Sequence, residues 1–435
     1  MTSRPDAIVV GAGFAGIAAA TALAERGARV LVLETRQRPG GRAVSWPDPR
    51  TGEIRDNGQH VLGAFYTETL RLLARLGTTD ALECDPTFRL CVWERSRGDY
   101  EFRCPRLPAP WHWAAAVATC GGWSLTSRAA ALRIAGRAHA IASPQANGSA
   151  SSVTVQRWLE LGAGSEDAVA FFWALAMASL NEVPGEASAL PFARALERLF
   201  AAPAGQSGLA LPKRGLSALF AGYEDIVKAR GGDVRYRETV LGVRVEHGRA
   251  VGVSLLGGDR IEAGALISTV PHERAGWILR PEYLGDQAEV VKVPWSPIVS
   301  TTHRLDRPIL PARIVAMLGT RTQWAFDRGA SCVVGTVRSA AFHDVDRPPD
   351  EIGAEAERDL GEAFPRARGA RILETRVYKE RRATMRLTPR AESLRPVAQT
   401  QVEGLFLAGD WTGTGFPPTI ESAVLSGHHA AELVR

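Results

Sequence analysis

The segment from Ala7 to Glu34, AIVVGAGFAGIAAATALAERGARVLVLE, leaves a chain few ways to fold. The apolar run Ala7–Val10 reads as a buried strand. Gly11-Ala12-Gly13-Phe14-Ala15-Gly16 follows at once, then an alanine-rich helix that ends near Gly27. A second apolar run closes on Glu34, 18 residues past Gly16. A lone GxGxxG is a weak signal. Between a strand and a helix, with an acid at this distance, it reads as a dinucleotide-binding turn. Gly11 permits the tight turn, Gly13 lets backbone approach a diphosphate, and Gly16 lets helix and strand pack closely. The helix N-terminus at Phe14 and Ala15 offers free N–H groups and the positive end of the dipole to phosphates. Glu34 can accept hydrogen bonds from ribose hydroxyls, and its charge would repel a 2′-phosphate. Arg36 joins it as a cofactor-binding residue.

The chain has 435 residues, enough for two domains sharing a large core. Its net charge is +5, and only four of its basic residues are lysines. The arginines are scattered without a basic arm, which argues against nucleic-acid binding. The five cysteines (Cys84, Cys91, Cys104, Cys120, Cys332) show no CxxC or zinc-type spacing and read as reduced structural thiols of a cytoplasmic protein, with no metal. The N-terminus enters the first strand with no signal-peptide pattern. No apolar run reaches the roughly 18–20 residues that span a bilayer. The longest, AVAFFWALAMASL at Ala168–Leu180, reads either as a buried helix or as a greasy mouth touching a membrane surface.

TETLRLLARLG, residues 67–77, predicts an amphipathic helix with Leu70, Leu73 and Leu76 inward, Thr67 as cap and Gly77 as stop. Phe88–Phe102 is β-like, and a Trp-rich, mostly helical region follows from Pro105 to Ala202. A helical face then combines Leu216, Leu219, Phe220, Tyr223, Ile226 and Val227, ended by Gly231-Gly232. Strands are predicted at Arg235–Val240, Gly242–His247, Ala250–Leu256 and Arg260–Val270. Near the C-terminus, strand Leu405–Ala408 meets Gly409-Asp410, and a proline-containing loop leads to a helix starting near Thr419-Ile420-Glu421.

Arg38-Pro39-Gly40-Gly41-Arg42 soon after the second strand resembles the GGR extension of amine-oxidase-like FAD enzymes, not NAD dehydrogenases. The N-terminal turn, the segment around Val240 and LAGDWTGTGFPPTIESAVLSG together resemble the cofactor domain of the amine oxidase, protoporphyrinogen oxidase and carotenoid desaturase superfamily. More narrowly, DNGQHVLGAFYTETLRLLARLG, ALAMASLNEVPGEASALPFARAL and the C-terminal segment resemble the hydroxysqualene dehydroxylases. The resemblance implies an α/β fold, a Rossmann-like FAD-binding domain with an inserted α+β substrate-binding domain. Residues 1–87, 205–270 and 386–435 would form the first and 88–204 and 271–385 the second. It implies FAD held by Gly11, Gly13, Phe14, Ala15, Gly16, Glu34, Arg36, Gly41, Arg42, Val240, Gly409, Asp410 and Ile420. Arg42 would lie near the diphosphate or flavin, the Val240 backbone at the adenine, and Gly409 and Asp410 at the pyrophosphate and ribityl. The Ile420 amide would meet the flavin's pyrimidine edge.

The implied reaction is reductive: an allylic C30 alcohol loses its hydroxyl and gains a hydride from reduced FAD. A polyisoprenoid desaturase would use the same site in the opposite direction, and an amine oxidase would want an aromatic cage where only Trp411 and Phe416 stand. In Asp56-Asn57-Gly58-Gln59-His60, the resemblance puts Gln59 and His60 on the flavin face. His60 is either the general acid that protonates the departing oxygen or a group that only shapes the site. Asp56 holds the turn. Asn181 and Glu182 either cap the greasy helix or face the substrate, and Lys292 reads as a surface lysine. Trp111, Trp113, Trp123, Phe172 and Trp173 suit core or tunnel alike. One dinucleotide fingerprint gives no support to a direct NADPH site, so the electron donor has no assignment. The lipid substrate implies a cytoplasmic protein in peripheral contact with the inner face of the cell membrane.

Overall fold

The computed structural model describes residues 4–49, 52–143, 152–162, 165–203, 205–328 and 332–435. Strand Ala7–Val10 is buried along its whole length at the centre of a five-stranded sheet. The order is Asp233–Tyr236, Val30–Glu34, Ala7–Val10, Ala265–Ser268, Leu405–Leu407, every pair parallel. A strand covered on both faces has no solvent side, so its residues run apolar without alternation. The chain crosses from Ala7–Val10 to one neighbour through the first helix and reaches the other only after more than two hundred residues. The turn at Gly11 therefore lies at a switch point of the sheet, where open parallel sheets bind ligands.

Helix Phe14–Glu25 is buried on nearly every side. One covering element is the C-terminal helix, Ile420–Leu433, and the two approach so closely that a Cβ at Gly427 would stand 2.2 Å from the Ala15 carbonyl oxygen.

The second large sheet has seven strands: Ile372–Met385, Trp295–Leu305, Val333–Arg338, Trp324–Asp327, Ile314–Leu318, Arg89–Glu94 and Gly98–Arg103. All its pairs are antiparallel except Ile314–Leu318 with Arg89–Glu94, where a hairpin from early in the chain joins strands from late in it. The helical region contains Trp111–Thr119, Leu125–Ala142, Val155–Gly162, Glu166–Leu180 and Ala189–Ala201; residues 144–151 and 163–164 of it lie outside those described. Phe102 meets Trp113, Trp123 and Phe171 at ring-centroid distances of 5.0, 5.5 and 4.9 Å, which ties the hairpin to the helices.

Several local expectations need correction. Helix Thr67–Leu76 takes Tyr66 as its N-cap residue, and Leu72 and Leu73 are its buried leucines, while Leu70 and Leu76 are half-buried. Gly77 does end it, in the left-handed conformation. The face from Leu216 to Val227 is two elements, a 3₁₀ turn Leu216–Phe220 and a helix Tyr223–Ala229, because Gly222 at φ +81° breaks the helical path between them. The single strand predicted at Arg260–Val270 is two, Arg260–Glu262 and Ala265–Ser268, in different sheets.

Candidate active site

At the glycine turn, three glycines are needed for three reasons. Gly11 sits at φ +107°, and a Cβ there would meet Thr269 Oγ1 at 2.6 Å. A Cβ on Gly16 would lie 1.9 Å from the Gly11 carbonyl oxygen, so the helix can rest on the turn only without a side chain. A Cβ on Gly13 would meet nothing closer than the Gly41 Cα at 3.9 Å. The protein does not fill that space, which suits a ligand's close approach. Gly13 caps helix Phe14–Glu25 without a side-chain hydrogen bond, leaving the first N–H groups at Phe14 and Ala15 for an anion.

Glu34 is buried, and its carboxylate accepts from Ala12 N–H at 2.7 Å and Arg36 N–H at 2.8 Å. Each oxygen keeps a lone pair for a further donor such as a ribose hydroxyl. The Arg36 guanidinium donates to the Gly41 carbonyl at 2.8 Å, and Gly40 N–H donates to Ala12 at 2.8 Å, folding the GGR loop over the turn. Val240 begins its strand close by, since Glu238 N–H donates to the Glu34 carbonyl at 3.0 Å.

The two ends of the chain meet here. Arg42 Nη2 lies 2.5 Å from Asp410 Oδ1, and its Nη1 donates to the Ala383 carbonyl at 2.8 Å. Gly409 N–H donates to Ser426 Oγ at 2.7 Å, which ties the loop to the C-terminal helix. Thr419 caps that helix by accepting from Ser422 N–H at 3.3 Å, so Ile420 opens its first turn.

Two residues that sequence reasoning missed hold this region. The Arg395 side chain is 1% exposed and donates to the Asp410 and Phe416 carbonyls, at 3.1 and 2.8 Å, while pairing with Glu392 at 2.9 Å. Glu421 accepts from Thr69 N–H and Glu68 N–H, at 2.8 and 3.1 Å, and pairs with Arg198 at 2.8 Å. It supplies the N-terminal cap that Thr67 does not. Its position in the first turn after a Thr cap is a local signal; its partners some 350 residues away are not.

Around His60, Asp56 acts on the turn, as expected. One oxygen accepts from Ser45 Oγ at 2.5 Å and Leu216 N–H at 3.1 Å, and the other pairs with Arg328 at 3.2 Å. His60 Nδ1 lies 3.1 Å from the Gly58 carbonyl. A carbonyl can only accept, so Nδ1 carries the proton and the neutral ring presents Nε2 as an acceptor. Burial pushes the imidazole below its ordinary pKa of 6.5, although the Gly58 carbonyl and Asp56 pull the other way. Gln59 lies in a crevice with Ser300, Thr302, Arg328 and Tyr378 that leaves no room for a water-sized molecule.

An apolar groove of about 670 Å³ runs between helix Glu166–Leu180 and strand Ile314–Leu318. Val169, Ala170, Trp173, Ala174 and Met177 form its helical wall, and Met317 and Leu318 the opposite one. The long apolar helix is thus neither wholly buried nor wholly outside. Trp113, Trp123 and Phe172 are core; Trp173 lines the groove; Trp111 is 66% exposed.

Asn181 ends the helix at φ +49° and binds Ser296 O, Thr384 Oγ1 and Ala340 N–H at 3.1, 2.9 and 2.8 Å. Glu182 is fully buried against Arg386, at 2.7 and 3.1 Å. Both join elements. Lys292 is exposed. Trp411 is buried with its indole N–H on the Val270 carbonyl at 2.9 Å, a core position and not one wall of an aromatic cage. Among the described residues no His, Cys, Asp and Glu cluster could hold a metal ion.

The family model for flavin containing amine oxidoreductases matches residues 14–435. A hydroxysqualene dehydroxylase of Sinorhizobium fredii is 28% identical, covering 98% of this chain and 97% of that one, and one of Rhodopseudomonas palustris is 29% identical with the same coverage. A 15-cis-phytoene desaturase of an Oncidium hybrid is 24% identical over 99% of this chain and 77% of its own. In fold, the chain is similar to an oxidoreductase of Methanosarcina mazei, with a TM-score of 0.74, 18% identity and coverage of 98% and 99%. It is also similar to putrescine oxidase bound to putrescine, with a TM-score of 0.73, 19% identity and coverage of 99% of both chains. The chain belongs to the flavin-containing amine oxidoreductase family and is an FAD-dependent oxidoreductase.

Proposed function

We propose that this protein carries out the reductive dehydroxylation of hydroxysqualene to squalene. The observation that carries the substrate class is the groove of about 670 Å³, whose two facing walls, Val169 to Met177 and Met317 to Leu318, are apolar, with Glu160, Ser165, Glu166, Thr320 and Gln323 also lining it. Such a groove offers an isoprenoid chain burial worth roughly 0.8 kcal/mol per CH₂ along its apolar walls. The two dehydroxylase relatives match this chain nearly end to end.

FAD would be held by the uncapped helix N-terminus at Gly13–Ala15, by Glu34 and Arg36 on the ribose side, by the Val240 strand, and by Gly41, Arg42, Gly409, Asp410 and the Ile420 amide. When bound and fully reduced it would supply a hydride and a proton, so that the C–O bond would break, a C–H bond would form at the same carbon, and the hydroxyl would leave as water. The chain's residues bind, orient and exclude water. The groove walls would desolvate the hydrocarbon chain, while Gln59 and His60 lie outside the groove's lining. We assign Gln59 and His60 to the reacting end. The Gly58 contact and the lowered pKa favour the reading in which neutral His60 shapes the site through Nε2 over the one in which it acts as general acid. We assign 1–87, 205–270 and 386–435 to the cofactor domain and 88–204 and 271–385 to the substrate domain. The membership of strands in the two large sheets supports this division.

The test is to mix the purified protein, its flavin reduced without oxygen, with hydroxysqualene and to measure squalene by mass spectrometry. Squalene matched by flavin reoxidation is expected. No squalene from fully reduced flavoprotein overturns the proposal. The desaturase relatives favour one second reading, in which the same groove takes a polyisoprenoid that loses hydride to oxidised flavin. Oxidised protein bleached by a carotenoid precursor would select it.

A further inference from the structure

Helix Leu125–Ala142 buries Ser127, Ala130, Ala131, Ile134, Ala138 and Ala142. Its solvent face ought then to be polar. It is so only in part: beside the exposed Thr126, Arg133, Arg137 and His139 runs an apolar stripe, Leu125, Ala129, Leu132, Gly136 and Ala140, spaced by three and four and all exposed, Leu125 by 80% and Leu132 by 48%. Leu107, 40% exposed, and Trp111, 66% exposed, precede this helix on the adjoining segment. An apolar stripe in water costs free energy and marks a surface that something covers.

Along the chain the charge of this stretch has one sign, while the fold brings Glu197 to His139 at 2.6 Å and Asp167 to Ser127 at 2.7 Å. From Arg103 to Ser143 there are five arginines (Arg103, Arg106, Arg128, Arg133, Arg137) and no Asp or Glu. Taking these five from the chain's 52 basic residues leaves 47, equal to its 47 acidic ones, so this segment alone accounts for the net charge of +5. Apolar residues flanked by an excess of arginines, with the neighbouring Asp167 paired to Arg97 and Glu197 to His139, complement an anionic lipid surface.

The stripe also lies next to the groove. Ser127 Oγ donates to Asp167 Oδ2 at 2.7 Å and meets Ser165 Oγ at 2.8 Å. Ser165 and Glu166 line one end of the groove. The first turn of the helix, which begins at Leu125, is thereby anchored next to those groove residues.

We propose that the exposed face of Leu125–Ala142, together with Leu107, Trp111 and the flanking arginines, docks on an anionic bilayer and sets the Ser165–Glu166 end of the groove against the lipid. The purpose of the docking rests on the groove taking a polyisoprenoid; the docking itself does not. A substrate that dissolves in lipid would then enter the groove without crossing water.

The experiment is co-flotation of the FAD-loaded full chain with vesicles of phosphatidylcholine alone and with about one-third phosphatidylglycerol. It is repeated with the triple variant Leu107→Ser/Trp111→Ser/Leu125→Ser and with Arg103→Gln/Arg106→Gln. Wild type is expected to float with the anionic vesicles and to release as salt rises. Each arginine removed should lower partitioning by roughly fivefold, and the triple variant should stay at the bottom with its flavin spectrum unchanged. The same variant, given detergent-dispersed hydroxysqualene, should turn it over like wild type. Wild type that stays unbound, or a triple variant that still floats, overturns the proposal. So does a concentration-dependent dimer abolished by the same substitutions, which would make the stripe a contact between copies. If flotation follows the variants as expected while neither protein makes squalene, the docking stands and the reaction proposed above falls.

Discussion

Two alanine-rich helices of this chain have opposite fates. Phe14–Glu25 (FAGIAAATALAE) buries ten of its twelve residues. Leu125–Ala142 (LTSRAAALRIAGRAHAIA) buries one face and leaves an apolar stripe in solvent beside Thr126, Arg133, Arg137 and His139. Small residues serve the first because they permit close approach: the sheet lies on one side and the C-terminal helix on another, close enough that Gly16 and Gly427 admit no Cβ. In the second, Gly136 has nothing within 4 Å of where its Cβ would stand. Composition alone does not tell an interior helix from a boundary one. What covers it does, and the coverage is long-range. If the comparison is right, the cofactor side should be intolerant of atoms added or removed, and the outward face should not notice them.

The largest effect is expected at Arg395. Its guanidinium is buried and donates to two carbonyls of the Gly409–Phe416 loop as well as to Glu392. Arg395→Met would leave Glu392 a buried, unpaired carboxylate, at about 3–5 kcal/mol. We expect protein that loses FAD on gel filtration and unfolds at a markedly lower denaturant midpoint. A stable Arg395→Met protein with full flavin would show that the loop holds itself. Gly16→Ala comes next. The added methyl must displace the Gly11 carbonyl, an overpacking cost of about 1–3 kcal/mol placed on the phosphate turn itself. Weaker FAD binding in a flavin titration, with a smaller loss in stability, is the expected result.

His60 belongs to the cofactor side and tests what its chemistry requires. With Nδ1–H on the Gly58 carbonyl and a pKa pushed below 6.5 by burial, the ring is neutral at pH 7. An imidazolium donor would give turnover that is present at low pH and lost as pH rises through that lowered value. A neutral shaping residue would give a rate that is flat from about pH 6.5 upward. We expect the flat profile, with His60→Ala reducing kcat by about tenfold and leaving the flavin spectrum intact. A limb below pH 6.5 that falls as pH rises and disappears in His60→Ala would restore the general acid, whose loss is typically worth 10²–10⁴ in rate.

The cofactor side was legible because its chemistry is local. The turn, Gly16, Glu34 and the Thr419 cap lie within a few residues of the strand or helix they serve, so spacing suffices to read them. The break at Gly222 was missed because Leu216–Val227 keeps its apolar rhythm across a glycine whose left-handed φ only the fold reveals. Glu421 and Arg395 act on partners whose identity no local pattern encodes. Trp173 and Trp113 are alike as sequence, yet one lines the groove and the other the core, a difference set by which helix face meets the seven-stranded sheet.

The smallest expected effect is the sharpest test of the outward helix. Gly136→Ala places a methyl where nothing stands within 4 Å, at a position already in ordinary helical conformation. Glycine inside a helix costs roughly 0.5–1 kcal/mol against alanine, because the unfolded chain is freer with it. The variant should therefore be more stable by about that amount in urea, while the same substitution at Gly16 goes the other way. Should Gly136→Ala instead destabilise the protein, this face of the helix is packed against something in solution, most simply a second copy. A rise in stability in detergent-free buffer, with vesicle flotation unchanged, fits a face that is open in water and tolerant of one more methyl at the lipid boundary.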